Sequence, residues 1–170
     1  MEKVALVTGS TNNVGKGIAE QLARDGFVVI ITSRHGNEAK EIANNLVKKG
    51  MYYEVDFSDS GQISSFFSFV KKTAARLDVL VNNVAYTKNE SIMDCTPETW
   101  ERTINTNLRS YFLCTRYAAE IMQKHGGGNI VNITIDSDRG IGNKFAYSVS
   151  KGGVNSLTMS AAVDLVSHAL

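Results

Sequence analysis

Short apolar runs alternate with longer stretches in which apolar residues recur at helical spacing. The apolar runs predict five strands, over residues 4–8, 27–32, 51–55, 77–81 and 129–135. The stretches between and after them predict helices over residues 14–25, 37–49, 59–76, 97–125 and 145–170. Because strands and helices alternate one for one, the pattern predicts an α/β fold, with a parallel sheet of about five strands covered by helices on both faces.

Local chemistry marks two of the predicted helix ends. Gly50 follows the second helical stretch and is expected to be its C-cap. Thr96, Pro97 and Glu98 predict a helix start, with Thr as N-cap, Pro at the first position and an acid in the first turn. No linker or internal repeat interrupts the chain, so residues 1–170 are predicted to form one domain.

Composition narrows the function classes without naming one. The chain has 170 residues, 43% of them apolar, and a net charge of +1 with 21% charged residues, which gives no electrostatic case for nucleic acid or an anionic membrane. No apolar run is long enough to span a bilayer, and no secretory leader precedes the first strand, so we expect a cytoplasmic protein. The three histidines lack metal-ligand spacing, and no metal site is predicted.

The turn between the first strand and the first helix predicts a phosphate site. Residues 8–15 read TGSTNNVG, and backbone amides at a helix N-terminus attract anions. Small residues let a pyrophosphate approach this backbone closely. Asn is the non-glycine residue that best tolerates positive φ, so the turn is expected to accommodate Asn13. The expected phosphate-binding residues are Gly9, Thr11, Asn13, Val14 and Gly15.

The end of the second strand bears on which dinucleotide would bind. NAD sites usually place an acid there for the ribose hydroxyls. This chain has Ser33 and Arg34 instead, so no carboxylate is expected to repel a 2′-phosphate and Arg34 is expected to pair with it. The sequence therefore predicts NADP as cofactor, ahead of NAD.

Two residues of the last predicted helix suggest the chemistry. Tyr147 and Lys151 are four positions apart, which places them on one helix face. A phenol titrates near 10, and a neighbouring ammonium favours its ionised form. Tyr147 is therefore a candidate proton donor to a carbonyl that receives hydride from a nicotinamide.

A polar residue interrupts the apolar stripe of the helix predicted over residues 97–125. The stripe comprises Trp100, Ile104, Tyr111, Cys114, Ala118 and Ile121. Asn107 falls on it, between Ile104 and Tyr111, and an amide on a buried face needs partners. Two interpretations stay open for the stripe, which serves either core packing or association between copies of the chain.

These motifs together resemble the short-chain dehydrogenase/reductase family over essentially the whole chain. The resemblance rests on four motifs: the first turn, the segment Asn82-Asn83-Val84-Ala85, the segment Thr106-Asn107-Leu108 and the Tyr147-xxx-Lys151 pair. The chain departs from the family pattern at Asn13 and Ala85, where the family has glycine.

The resemblance implies a fold, a cofactor site and an activity. It implies a Rossmann-type doubly wound sheet with the strand order 3-2-1-4-5, and hydride transfer between NADP(H) and a small carbonyl or alcohol. It also implies that Asp56 contacts the adenine, that Asn83 lies at the cofactor, and that Lys151 holds the nicotinamide ribose. The alternative for Asn82 and Asn83 is that they stabilise a turn. For Asn107 the family role is support of a proton relay to Lys151; the alternative is an amide satisfied by the main chain or a water.

The hydroxyl that the family uses to hold the substrate carbonyl has two candidates. Spacing back from Tyr147 points to Thr134, whereas alignment from Asn132 points to Ile135, which has no hydroxyl. Ser137 lies two residues further on. Thr134 and Ser137 both remain candidates for this hydroxyl.

Members of the family continue with further strands and a substrate-binding region, so we expect this chain to be incomplete at its C-terminus and to lack the family's last strands. The first functional hypothesis is an NADP(H)-dependent oxidoreductase acting on a small carbonyl or alcohol. The alternatives are a non-catalytic dinucleotide-binding or partner protein, and a folded remnant without a ligand. The resemblance also implies a homodimer or homotetramer formed through the helix over residues 97–125 and the last helix.

Overall fold

The computed structural model describes residues 2–74, 76–136 and 140–166. It contains five strands: β1 (Val4–Val7), β2 (Val28–Ser33), β3 (Met51–Glu54), β4 (Val79–Asn82) and β5 (Asn129–Asn132). Its α-helices are α1 (Asn13–Arg24), α2 (Gly36–Asn45), α3 (Ser60–Thr73), α4 (Pro97–Ile104), α5 (Ser110–Met122) and α6 (Phe145–Val166). The predicted α/β alternation is confirmed.

The five strands form one parallel sheet in the order β3-β2-β1-β4-β5. The central strand β1 is completely buried, as its continuous apolar sequence VALV requires when helices cover both faces of a parallel sheet. All strands point the same way, so their carboxyl ends meet at one edge of the sheet. The order predicted by resemblance, 3-2-1-4-5, is confirmed.

Helices on opposite faces of the sheet enclose two apolar clusters. One cluster joins β-strand residues such as Leu6 and Leu80 to the phenylalanines of α3 and the buried face of α5. The other joins alternate strand residues such as Val7 and Ile31 to the alanines of α1 and α2. Side chains of a strand point alternately to the two faces, so the continuous apolar runs in β1 and β2 supply both clusters.

Two helix-end predictions have different outcomes. Thr96 caps α4 as predicted, with its Oγ1 accepting a hydrogen bond from Thr99 N at 3.2 Å and Pro97 in the first turn. The C-cap prediction at Gly50 is wrong, because α2 ends at Asn45 and Leu46 turns to extended backbone while its side chain enters the core. Gly50 is small for another reason: a Cβ there would lie 2.5 Å from Val29 O on β2.

The helix predicted over residues 97–125 is segmented. Between α4 and α5 lies one π-helical turn, Asn105–Arg109, closed by a hydrogen bond from Ser110 N to Asn105 O, and a 3-10 turn, Gln123–His125, follows α5. Within the described residues, no helix is long and apolar enough to cross a membrane.

Two apolar residues of the predicted helices turn out to be exposed. Trp100 was assigned to the buried stripe, but it is 37% exposed and stacks on Phe145 at 5.9 Å between ring centroids. The stripe's later members from Tyr111 onward are buried in the core. Val14 is 59% exposed, because Gly15, Ala19 and Ala23 form the face of α1 that packs on the sheet.

Candidate active site

A cavity of about 650 Å³ opens at the carboxyl ends of the strands. All the predicted cofactor-binding residues line it: Gly9, Thr11, Asn13, Val14, Gly15, Ser33, Arg34, Asp56, Asn83, Tyr147 and Lys151. Its size lies in the range of small-molecule and cofactor sites. The fold therefore brings together residues that are far apart in sequence, from the first turn to the start of α6.

The first turn is shaped by residues with little or no side chain. Gly9 has a φ of +62°, in the left-handed region that favours glycine. A Cβ on Gly15 would collide with Asn83 Nδ2 and with Gly9 O. Asn13 adopts a φ of +48°, so the expectation that Asn tolerates this turn is confirmed. Within the part of the chain that the structure describes, a Cβ on Gly17 would meet no atom within 4 Å.

The loop after β4 holds the turn in place. Thr8 Oγ1 accepts hydrogen bonds from Asn83 N at 2.9 Å and from Val84 N at 3.0 Å. Asn83 Nδ2 donates to Thr8 O at 2.9 Å and to Gly9 O at 3.0 Å. Two expectations were open for Asn83, contact with a ligand or support of a turn. The structure shows the second, and Asn83 also lines the cavity.

The start of α1 presents unpaired amides to the cavity. Asn12, the N-cap residue, makes no side-chain capping bond, whereas Asp59 accepts hydrogen bonds from Gly61 N and Gln62 N at the start of α3. Among the described residues, no capping side chain accepts a hydrogen bond from the first amides of α1, and Val14 and Gly15 border the cavity at this point. Such an N-terminus is suited to an anionic ligand.

A carboxylate lies near the end of β2, contrary to the expectation that none would. Ser33 Oγ donates to Glu38 Oε2 at 3.3 Å, and Glu38 lines the cavity together with Arg34. Glu38 belongs to the first turn of α2, which brings it back over the strand end. Arg34 is exposed. The pocket edge that would distinguish a ribose hydroxyl from a ribose phosphate therefore carries one cation and one anion.

Asp56 lies close enough to two arginines for their charges to act on it. It accepts hydrogen bonds from Ser58 N and Ser58 Oγ, both at 2.8 Å. Burial opposes ionisation of its carboxyl, but the bonds from Ser58 and the charges of Arg34 and Arg102 outweigh burial and lower its pKa. Arg102 belongs to α4, and its guanidinium lies over the Tyr86 ring at 4.5 Å from the centroid.

Lys151 is a buried charge at the other end of the cavity. It is 2% exposed, and its Nζ donates to Ile133 O at 2.7 Å and to Tyr111 Oη at 3.1 Å. Burial lowers the pKa of Lys151 to about 8. Its Nζ lies 5.8 Å from the centroid of the Tyr147 ring, which is half-buried and whose pKa burial raises.

Asn107 fixes the geometry of this end without contacting Lys151 in the hydrogen bonds that the structure shows. Its Oδ1 accepts from Tyr86 N at 2.7 Å, and its Nδ2 donates to Tyr86 O at 2.9 Å and to Ser150 Oγ at 3.0 Å. Ser150 Oγ in turn donates to Tyr147 O at 2.7 Å. The π-turn that carries Asn107 thus ties the β4 loop to the first turns of α6, as the main-chain alternative anticipated.

Of the two candidate hydroxyls, Thr134 lies within the described residues and Ser137 does not. Thr134 Oγ1 donates to Lys151 O at 3.1 Å, and Thr134 is not among the residues that line the cavity. Its hydroxyl proton therefore stabilises the packing of α6 against the segment after β5. Ser137 lies outside the described residues.

In the sequence analysis, Glu38 and Arg102 are not identified as residues of this region. Tyr111 is also treated there as apolar, so the role of its hydroxyl is missed. Glu38 had a signal, because it lies in the first turn of a helix that starts just after the end of β2. Tyr111 was assigned to the apolar stripe, yet its position four residues after Asn107 places its hydroxyl on the same face as a known polar residue.

Known proteins resemble this chain over nearly its whole length. The family model described as short chain dehydrogenase matches residues 3–170. An oxidoreductase of Thermotoga maritima is 36% identical over 96% of this chain and 65% of the relative. A 3-oxoacyl-[acyl-carrier-protein] reductase of Aquifex aeolicus is 35% identical over 96% of this chain and 68% of the relative. The chain thus spans about two thirds of the length of these curated relatives.

Solved structures resemble the fold closely. A metagenomic short-chain oxidoreductase in complex with NADP superimposes with a TM-score of 0.93 at 30% identity, over 98% of this chain and 76% of that one. A short-chain alcohol dehydrogenase from Sinorhizobium meliloti superimposes with a TM-score of 0.92 at 28% identity, over 99% of this chain and 69% of that one.

Proposed function

This chain belongs to the short-chain dehydrogenase family, and on that premise we propose that it is an oxidoreductase that transfers hydride between NADP(H) and a small carbonyl or alcohol. The observation that carries the proposal is the cavity in which the first turn and the Tyr147–Lys151 pair meet. The curated relatives are longer than this chain, so activity, substrate and partners are proposals for the chain itself.

The residues at the first turn fit a dinucleotide. Any side chain at Gly15 would fill the space beside Gly9 O and Asn83, so the turn is kept open where a pyrophosphate would contact backbone amides. Thr11 and Asn13 border the same space, and Asp56 is available to the adenine ring. Bound nicotinamide would supply or accept the hydride.

The pair on α6 supplies proton chemistry to the reacting carbonyl. Tyr147 lines the cavity and is the proton donor that we propose for reduction. Lys151 lies behind it as a charge whose ammonium stabilises an ionised phenol and so makes proton loss easier. Asn107 holds the start of α6 in place through Ser150 and thereby positions Tyr147.

Arg34 supports a preference for NADP over NAD. Its guanidinium lies at the cavity edge after β2 and matches the geometry and charge of a 2′-phosphate. Glu38 opposes this preference, because its carboxylate lies at the same edge and accepts a hydrogen bond from Ser33. Arg102 adds a second cation near Asp56, so Arg34 and Arg102 together balance the carboxylates of Glu38 and Asp56 at this end.

Two further expectations remain proposals. Ser137 is the hydroxyl that we propose to hold the substrate carbonyl, because the Thr134 hydroxyl donates to Lys151 O.

We also propose that the chain associates as a homodimer or homotetramer through α5 and α6. Phe112 is 47% exposed there, beside a groove that also includes Leu157 and Ala161. Light scattering of the purified chain measures that state directly.

Turnover with a panel of small ketones and aldehydes tests the reaction. NADPH consumption that depends on the carbonyl and is lost in Tyr147→Phe supports the proposal. Tyr117→Phe is a matched control, because it makes the same change at a tyrosine that packs against the core and does not line the cavity. NADPH binding without turnover on any substrate supports the alternative of a non-catalytic dinucleotide-binding protein. Absence of both contradicts either function.

A further inference from the structure

A second tyrosine, outside the cavity, contacts the buried lysine. Tyr111 is completely buried on α5, and its hydroxyl both accepts from Lys151 Nζ at 3.1 Å and donates to Ile133 O at 3.3 Å. Lys151 Nζ donates to the same Ile133 carbonyl at 2.7 Å. The three groups form a closed triangle behind the cavity wall.

From this geometry we propose that Tyr111 is a positioning residue, which holds the Lys151 side chain behind Tyr147 and keeps it in the ammonium form before any cofactor binds. The function of that charge rests on the proposed reaction, whereas the contact between Tyr111 and Lys151 does not.

The hydrogen-bond directions give the physical reason. An ammonium has three donors and no acceptor, so each acceptor that faces it favours the charged form over the neutral amine. Two donors of Lys151 are used by Tyr111 Oη and Ile133 O, and the Tyr147 ring lies 5.8 Å from the same Nζ. The face of the Tyr111 ring also lies 4.9 Å from Nζ, a distance at which a ring attracts a cation.

Burial opposes the same charge. It lowers the pKa of Lys151 to about 8, so the ammonium is only moderately favoured near neutral pH and each acceptor matters. Burial also raises the pKa of Tyr111, which keeps its phenol neutral and able to accept from the lysine while donating to Ile133 O. Tyr111 therefore acts as a dipole of fixed orientation, not as an acid or a base.

Other titratable groups near Lys151 define how the experiment must be built. Among the described residues they are Tyr111 and Cys114 on α5, Tyr147 on α6, Lys144 just before α6, and Tyr86 and Arg102 across the cavity. Burial raises the pKa of Cys114, which stays a neutral thiol. Tyr147 is the group whose titration would couple to that of Lys151, so the titration is performed in a Tyr147→Phe background.

The test is an NMR titration of the Lys151 side chain in the free chain, with no cofactor present. Lysine is labelled with carbon-13, and the Lys151 signal is identified by its loss in Lys151→Met. Removal of the Tyr111 hydroxyl by Tyr111→Phe is expected to lower the titration midpoint of Lys151 by about one pH unit, as loss of one hydrogen bond to a charge implies. Tyr117→Phe makes the same change on a different face of α5 and is expected to leave the titration midpoint of Lys151 unchanged.

An unchanged midpoint in a folded Tyr111→Phe chain would overturn the proposal and reduce Tyr111 to a packing residue. If that variant does not fold, the proposal is tested in the wild-type chain. The contact predicts nuclear Overhauser effects between the Lys151 ε-protons and the Tyr111 ring. Their absence would equally overturn it. Neither readout depends on turnover, so failure of the proposed reaction would leave this result interpretable.

Discussion

The two ends of the cavity are built in different ways. The phosphate end, comprising Gly9–Gly15, Ser33 and Arg34, is a backbone surface: its amides, small residues and positive φ values leave room and directed donors for an anion. The proposed catalytic end, comprising Tyr147 and Lys151 with Tyr111 behind the cavity wall, contains a buried charge that a side chain of α5 and a carbonyl after β5 hold. The first depends on conformation, and the second on electrostatics in a low-dielectric interior.

That difference predicts that the two ends fail separately. A side chain that fills the space beside the backbone of the phosphate end should abolish cofactor binding. Removal of a polar group on α6 should abolish catalysis and leave cofactor binding in place. The variants below are ordered by the size of the effect that they should have.

Tyr147→Phe should have the largest effect, on rate alone. Loss of the proton donor is expected to lower kcat by about 10³-fold, within the usual range for a general acid. The dissociation constant of NADPH should stay within about twofold, since the phosphate end is untouched. Steady-state kinetics and calorimetry measure the two quantities. A loss of affinity as large as the loss of rate would show that the ends are not separable.

Gly15→Ala should break the phosphate end. The new Cβ meets Asn83 Nδ2 and the fixed backbone oxygen of Gly9, so the turn must move, and NADPH affinity should fall by about 100-fold, or about 3 kcal/mol. Gly17→Ala, two residues along the same helix, places its Cβ in open space and should bind normally. Its helix should be more stable by about 0.5–1 kcal/mol. Equal affinities in the two variants would contradict the account.

Lys151→Met should stabilise the fold while abolishing the chemistry. Removal of a buried charge is expected to raise the free energy of unfolding by about 2 kcal/mol at pH 7. Tyr111 Oη keeps its donation to Ile133 O, so no buried hydroxyl is left without a partner. Denaturant unfolding at pH 7 measures this, and a less stable variant would show that the ammonium contributes net stability.

The same variant carries a pH signature. The folded-state pKa of Lys151, about 8, lies below its ordinary value of 10.5, so between those pH values the folded chain binds fewer protons than the unfolded chain. Raising the pH through this window therefore stabilises the wild type. The advantage of Lys151→Met should shrink from pH 8 to pH 10.5. A constant difference would mean that Lys151 titrates normally in the fold.

The smallest predicted effects concern the choice of cofactor. Arg34→Ala should weaken NADPH binding by about tenfold and leave NADH binding nearly unchanged, because the lost contact is with the 2′-phosphate. Glu38→Gln should act in the opposite direction, strengthening NADPH binding by a few-fold through loss of a like charge. Calorimetry with both cofactors resolves these changes. An equal loss of NADPH and NADH affinity in Arg34→Ala would place Arg34 elsewhere than at the phosphate.

The sequence predicted the phosphate end better than the catalytic end. Its residues are near neighbours along the chain or follow consecutive strands, so residue type and spacing carried the information for Gly9, Asn13 and Gly15. Glu38 was missed because its approach to Ser33 depends on where α2 starts. That start is one residue earlier than the apolar pattern suggested.

At the catalytic end the pair Tyr147 and Lys151 was predictable from helical spacing, but their surroundings were not. Tyr111 looked apolar on its helix face, and only the packing of α5 against α6 brings its hydroxyl to Lys151. Asn107 was recognised as polar on a buried face, yet its partners on the β4 loop are about twenty residues distant in sequence. Long-range contacts of this kind leave no local pattern.

The most direct test of a formed dinucleotide site is calorimetric titration of the purified 170-residue chain with NADPH and then with NADH. The account predicts saturable binding of NADPH at one site per chain, tighter than that of NADH, with the difference removed by Arg34→Ala. Absence of binding of either cofactor to the folded chain would contradict the central claim that the first turn and the strand ends form a functional cofactor site.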